Sequence, residues 1–231
     1  MYFCSMILMM LSPRTTTTTD WATALFVICF ILIALTRTAF EKRFNDYARL
    51  IVSDKYIKVY KDSSHLTSPF NVLLFIVQIL VLAFFIQIVL SYFDYVEKND
   101  YIVYIRIFTL TTVFILAKFL IDKIIGVTFN IEEFIDQFNL RKVSYRNYLA
   151  IVLLPVDIIL FYNNFEVKSA VIILIITIIT INVITYLLSL KNYQNFVAGK
   201  LFYFILYLCA LEIAPYYFMY YWFTRFSTLE S

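Results

Sequence analysis

Six stretches of nearly uninterrupted apolar sequence, at about residues 21–36, 70–93, 101–120, 148–162, 169–190 and 201–223, account for most of this chain. A helix needs about 20 apolar residues to cross a hydrocarbon core of about 30 Å. Irregular backbone in lipid would leave N–H and C=O groups without partners, so blocks of this kind are restricted to membrane-spanning helices. Composition agrees, with 62% hydrophobic and 15% charged residues and a mean hydropathy of +0.82, against about half and about a quarter in a soluble domain. The expected fold is all-α: a polytopic integral membrane protein with six transmembrane helices and one or two interfacial amphipathic helices on the cytoplasmic side. Residues 1–20 read as an N-terminal non-spanning segment, and 21–231 as a single six-helix membrane domain.

Charge between the blocks orients them, because Lys and Arg gather in cytoplasmic connections. With six spans, three connections share one side: Arg37 to Lys61, Lys123 to Arg146, and Lys191 with Lys200. They hold thirteen Lys and Arg residues, whereas Arg14, Lys98, Lys168 and Arg225 lie on the other side. Removing the third and fourth spans would move five basic residues to the outer face, so six spans with both termini outside is the better topology. Trp21 and the run Tyr216, Tyr217, Tyr220, Tyr221, Trp222 then form an aromatic belt at the outer interface. The net charge of +3 reports this orientation rather than nucleic-acid binding.

Ionisable groups inside a span are costly and mark candidate functional positions. Asp157 accompanies Pro155 in the fourth span, and Glu212 accompanies Pro215 in the sixth. Each proline lacks an N–H and frees a carbonyl one turn earlier. Arg106 in the third span and Asp157 have similar estimated depths, so they could pair or each snorkel outward. Lys118, near the inner end of its span, is expected to reach the headgroups. Glu212 is nearest the midplane, where it is either a neutral acid hydrogen-bonded to backbone or Asn182, or a proton or cation site. Gln78, Gln87, Thr177, Thr180 and Thr185 are further polar groups within spans, although Gln78 and Gln87 point to opposite faces.

Two connections on the inner side carry helical apolar stripes. Phe40, Phe44, Tyr47 and Ile51 form the first, with Lys42, Arg43 and Arg49 off the stripe. It suits an interfacial helix, internal packing or a protein partner. Ile131, Phe134, Ile135 and Phe138 form the second, accompanied by Glu132, Glu133 and Asp136. An acidic face is disfavoured on an anionic leaflet, so packing on protein is expected there. One histidine and three cysteines without metal-ligand spacing point to no metal and no cofactor. HExxH, GxSxG, Walker and GxGxxG patterns are missing from the sequence, and no catalytic residue is assigned.

The segments FEKRFNDYARLIVSDKYIKVYKD (Phe40 to Asp62), RNYLAIVLLPVDIILFY (Arg146 to Tyr162) and CALEIAPYY (Cys209 to Tyr217) resemble the membrane family called domain of unknown function 4271. The resemblance extends from about Trp21 to the C-terminus. It implies an inner-membrane protein of Gram-negative, Bacteroidetes-type bacteria, in which the termini that loop charge places outside would be periplasmic, and it supplies no activity or site residue. The leading expectation is a non-enzymatic subunit or scaffold of a bacterial envelope complex, contacting the lipid bilayer and a membrane-protein partner. The alternative is a small transporter or proton-coupled carrier that uses Glu212, with Asp157 and Arg106 secondary.

Overall fold

The computed structural model describes residues 19–49, 68–128, 132–163 and 172–180. They form helices α1 (Asp20–Ala39), α2 (Glu41–Ala48), α3 (Pro69–Tyr92), α4 (Tyr101–Thr128), α5 (Glu132–Tyr162) and a further helical stretch over 172–180. Among these, α1, α3, α4 and α5 are long and apolar enough to cross a membrane. The all-α, multi-pass reading therefore holds over four helices. The sixth expected span, with Glu212 and Pro215, lies outside the described residues, as do Asn182, Ile51, Ile131 and the Phe134 side chain.

Expected and observed boundaries agree for the first two spans and differ for the next two. Instead of stopping near residue 120, α4 continues to Thr128. Rather than starting near 148, α5 begins at Glu132, so the expected inner interfacial helix and the fourth span are one continuous helix. Charge marks where water begins, but it does not end a helix. Between 121 and 128 only Gly126 is a poor helix former, and α5 has no proline before Pro155. At 1.5 Å per residue, the 28 residues of α4 and 31 of α5 extend about 42 and 46 Å. Their shared inner ends thus project beyond a hydrocarbon core of about 30 Å.

The centre of the bundle is α3, which packs on α1, α4 and α5. Its uncharged sequence is buried on nearly every side, from Phe70 and Leu74 through Val77, Val81 and Phe84 to Ile88. Ser68 and Pro69 start this helix, with proline where a missing N–H costs nothing. Phe84 stacks against Phe161 of α5 at 5.1 Å and against Phe26 of α1 at 4.7 Å. Trp21 touches Phe84, Tyr104 and Phe161 at 5.3 to 6.5 Å, so one aromatic cluster ties all four long helices at this end.

Backbone hydrogen bonds close the same end. The carboxylate of Asp100 caps α4, accepting from the N–H groups of Ile102 at 2.8 Å and Val103 at 3.3 Å. Gln87 donates from Nε2 to the carbonyl of Asp100 at 2.8 Å and to that of Lys98 at 3.3 Å. The Trp21 indole donates to Asn99 at 3.2 Å, and Lys98 donates to the Leu160 carbonyl at 2.9 Å. Partial burial pulls the Lys98 amine below its usual pKa, yet a neutral amine still donates to Leu160.

At the opposite end, α2 folds back beneath α3. Tyr47 is buried against Phe70 at 5.6 Å and Tyr148 at 6.1 Å, and its hydroxyl donates to the Ser144 carbonyl at 2.9 Å. Gly126 lets α4 approach α5, because a Cβ there would stand 3.3 Å from the Ile135 side chain. Gly126→Ala is expected to leave stability nearly unchanged, since a helix-propensity gain of about 1 kcal/mol offsets a tight contact. Gly126→Leu should destabilise by about 1–3 kcal/mol through overpacking. Thermal unfolding of the detergent-solubilised protein separates the two variants.

Candidate functional site

The buried stripe of α4 is unlike that of a soluble helix. Tyr104, Thr111 and Lys118 recur at seven-residue spacing, and Asp122 and Gly126 continue the stripe at four-residue steps. With Ile107 they are the buried residues of this helix. Its exposed side carries Ile102, Ile105, Val113, Leu116, Leu120 and Ile124. The buried stripe is largely polar and the exposed side mostly hydrocarbon, interrupted by Arg106, Thr109 and Lys123, a pattern that suits a helix in lipid.

The facing helix, α5, presents Gln137, Asn139, Arg141, Ser144, Asn147 and Asp157 as buried polar groups. Counting outward from the Gly126–Ile135 contact, turn by turn, sets Asp122 level with Asn139 and Thr111 with Ala150. The same count sets Tyr104 level with Asp157. Cys29 of α1 and Tyr104 both lie within electrostatic range of Asp157, in agreement with that register. The Phe84–Phe161 contact sets the α3 register in the same way, and places Asn71 level with Tyr148 and Gln78 with Pro155. On α5, Asn139 and Asp157 share one face, whereas Ser144 and Asn147 lie about 140° and about 80° around the helix from Asp157, and the buried residues just below the acid are apolar, among them Ala150, Leu153, Leu154, Val77 and Ile107.

Asp157 is 0% exposed, and neither carboxyl oxygen has a hydrogen-bond partner among the described residues. Phe84, Leu153, Leu154, Leu160 and Phe161 belong to the same core, and the Tyr104 hydroxyl donates to the Leu80 carbonyl at 3.3 Å. Elsewhere on α5, the Ser144 hydroxyl and both amide atoms of Asn147 are buried without partners among the described residues. A buried polar atom left unsatisfied costs about 1–3 kcal/mol, so three such groups on one helix require an explanation.

The expected site residues are distributed differently from the sequence reading. Arg106 is exposed, two positions around α4 from Tyr104, and it does not pair with Asp157. Pro155 is also exposed, because two residues rotate a helix by about 200°. The carbonyl that it frees, that of Ile151, therefore belongs to the side away from Asp157, and acid and proline do not build one site. Lys118, expected among the headgroups, is buried at 6% exposure. Snorkelling depends on the side of the helix as well as on depth, and the Tyr104–Thr111 stripe turns Lys118 inward.

Thr177 and Thr180 are exposed and return their hydroxyls to the carbonyls of Ile173 and Ile176. In the two inner stripes, Tyr47, Ile135 and Phe138 are buried and Phe40 and Phe44 half-buried. The chain itself covers three of these positions and part of two more, while Ile51, Ile131 and the Phe134 side chain lie outside the described residues.

The sequence reading passed over Thr111, Asp122, Asn139, Arg141, Ser144 and Asn147 as a group. A detectable signal existed in the spacing of Tyr104, Thr111, Lys118 and Asp122, but it is visible only when α4 is followed past residue 120. If Asp157 served packing alone, an apolar side chain of similar size would do better there. Asp157→Leu is therefore expected to raise stability by about 1–3 kcal/mol, as when an unpartnered buried polar group is removed. A lowered thermal midpoint in detergent would instead show that the carboxyl holds the bundle together.

No curated protein matches this chain, and no solved structure matches it. A family model described as Domain of unknown function (DUF4271) matches residues 22–223, and the chain belongs to that family.

Proposed function

We propose that this protein is a small proton-coupled carrier of the bacterial inner membrane, with six spans, both termini periplasmic, and Asp157 as the proton-binding group. The observation that carries the reading is the fully buried Asp157 carboxyl, without a hydrogen-bond partner among the described residues, inside the apolar core that joins the four long helices. A purely structural membrane helix gains nothing from such a group, and intramembrane acids are found where protons or ions are handled. The step required is simple: the carboxylate takes a proton from water on one side and returns it to water later. No covalent chemistry is involved, and the protein acts as a non-enzymatic membrane component.

The scaffold reading rested on two amphipathic surfaces at the inner side. Burial of Tyr47, Ile135 and Phe138 against the rest of the chain removes much of that surface, which favours transport over docking. Arg106, exposed on α4, has no part in the proposed proton step. Glu212 remains a second acid to be separated from Asp157 by experiment.

The test is pH-difference infrared spectroscopy on reconstituted protein in a Glu212→Gln background, with and without Asp157→Asn. A carboxyl band that titrates, exchanges in D2O and disappears with Asp157→Asn is the expected result. A band that neither titrates nor exchanges would make Asp157 a structural group and sink the carrier reading. The six-span topology is checked separately by reporter fusions after residues 130 and 195, both expected on the cytoplasmic side, and after 165, expected outside.

A further inference from the structure

One turn inward from the aromatic cluster, three titratable side chains from three helices come to one level. The rings fix their places. Phe84 meets Phe26 at 4.7 Å, Tyr104 at 5.8 Å and Phe161 at 5.1 Å. Residues three or four apart share a helix face, so the next inward positions behind Phe26, Phe84 and Phe161 are Cys29, Leu80 and Asp157. Tyr104 reaches the same level, because its hydroxyl donates to the Leu80 carbonyl at 3.3 Å. Cys29 and Asp157 are 0% exposed and Tyr104 is 7% exposed. Each of the three lies within electrostatic range of the other two.

We infer that Tyr104 and Cys29 are the positioning residues of the Asp157 site, donating their O–H and S–H to the carboxylate when its proton has left. This deepens the carrier reading and rests on it. A carboxyl that ionises inside an apolar core must gain donors at that moment, because the charged form is the one that burial opposes. Among the described residues, no other titratable or charged group faces the acid. From Pro69 to Ser91, α3 contributes none, α5 has only Asp157 between Leu149 and Phe161, and the stretch 172–180 has none. Arg106, on α4, is on the exposed side.

The Tyr104 hydroxyl can leave its present partner at little cost. Leu80 lies inside α3, so its carbonyl accepts the helical N–H of Phe84 whether or not Tyr104 is there. A separation of 3.3 Å is also long for an O–H donor. The exchange is a rotation: Tyr104 leaves the Leu80 oxygen for one carboxylate oxygen, and Cys29 turns its S–H to the other. Only the Asp157 proton changes owner, and both donors return when the carboxyl is protonated again.

The test is pH-difference infrared spectroscopy of the reconstituted full chain carrying Glu212→Gln, Cys4→Ser and Cys209→Ser, which leaves Cys29 as the sole thiol. The S–H stretching band is expected to shift to lower frequency as the carboxyl ionises, with the same midpoint. Tyr104→Phe keeps the ring against Trp21 and Phe84 and removes only the hydroxyl. A donor to the carboxylate favours the charged form, so its removal should raise the carboxyl midpoint by about one pH unit. Cys29→Ala should raise the midpoint too, and Cys29→Ser should restore it. A merely structural role for either side chain would change thermal stability without moving the titration.

A carboxyl that titrates in Tyr104→Phe with an unmoved or lowered midpoint overturns the inference and leaves the carrier reading standing. So does an S–H band that stays fixed while the carboxyl ionises. That measurement needs no substitution within the described bundle, so it decides the matter even where Tyr104→Phe folds poorly. A carboxyl band that never titrates removes the carrier reading and this inference together.

Discussion

Burial of α3 on nearly all sides is the constraint on which the arrangement depends. A helix enclosed by three neighbours can offer no charged face, and α3 has no charged residue along its length. Lipid tails are as apolar as its side chains, so the hydrophobic effect does not drive helices together within the bilayer. Close packing and a few hydrogen bonds must do so. The Phe84 contacts with Phe26 and Phe161 provide the first. Gln87 provides the second, since its amide meets the backbone of the 97–100 turn instead of remaining buried without a donor role.

Around that centre, α4 follows the rule for a membrane interior. Its exposed side is mostly hydrocarbon, interrupted by Arg106, Thr109 and Lys123, and Tyr104, Thr111, Lys118 and Asp122 form the buried stripe. Each inward polar group raises the cost of the fold unless it finds a partner. Apolar replacements would pack the same volume more favourably, as when buried ion pairs are exchanged for hydrophobic residues.

The all-α character of the described region, and the four helices in it that are long and apolar enough to cross a membrane, were legible from apolar block length, because backbone in lipid has so few alternatives. The α1 and α3 boundaries were legible for the same reason. Those of α4 and α5 were not, since Lys123, Arg141 and Arg146 read as connection when they are helical. The site was legible one residue at a time. Asp157 could be singled out by charge, but depth alone left Arg106 either paired with it or snorkelling, and put Lys118 among the headgroups. Rotation about the helix axis decides both cases, and it becomes visible only when polar positions along a helix are compared with one another.

Rotation also separates the two unusual residues of α5. Pro155 cannot donate to Ile151, so the final turns of α5 are held to the rest of the helix by one bond fewer. Those turns carry Asp157, Leu160 and Phe161 inward. Their placement must then come from contacts outside the helix. Lys98 holds the Leu160 carbonyl at 2.9 Å, Tyr162 shares a 2.6 Å hydrogen bond with Thr23 of α1, and Phe161 packs on Phe84. The position of the buried acid is consequently set by the outer turn and by α1 and α3 as much as by α5 itself. A proline on the lipid side and an acid on the inner side belong to the same device without touching: the first loosens the segment, and the second is what the segment carries.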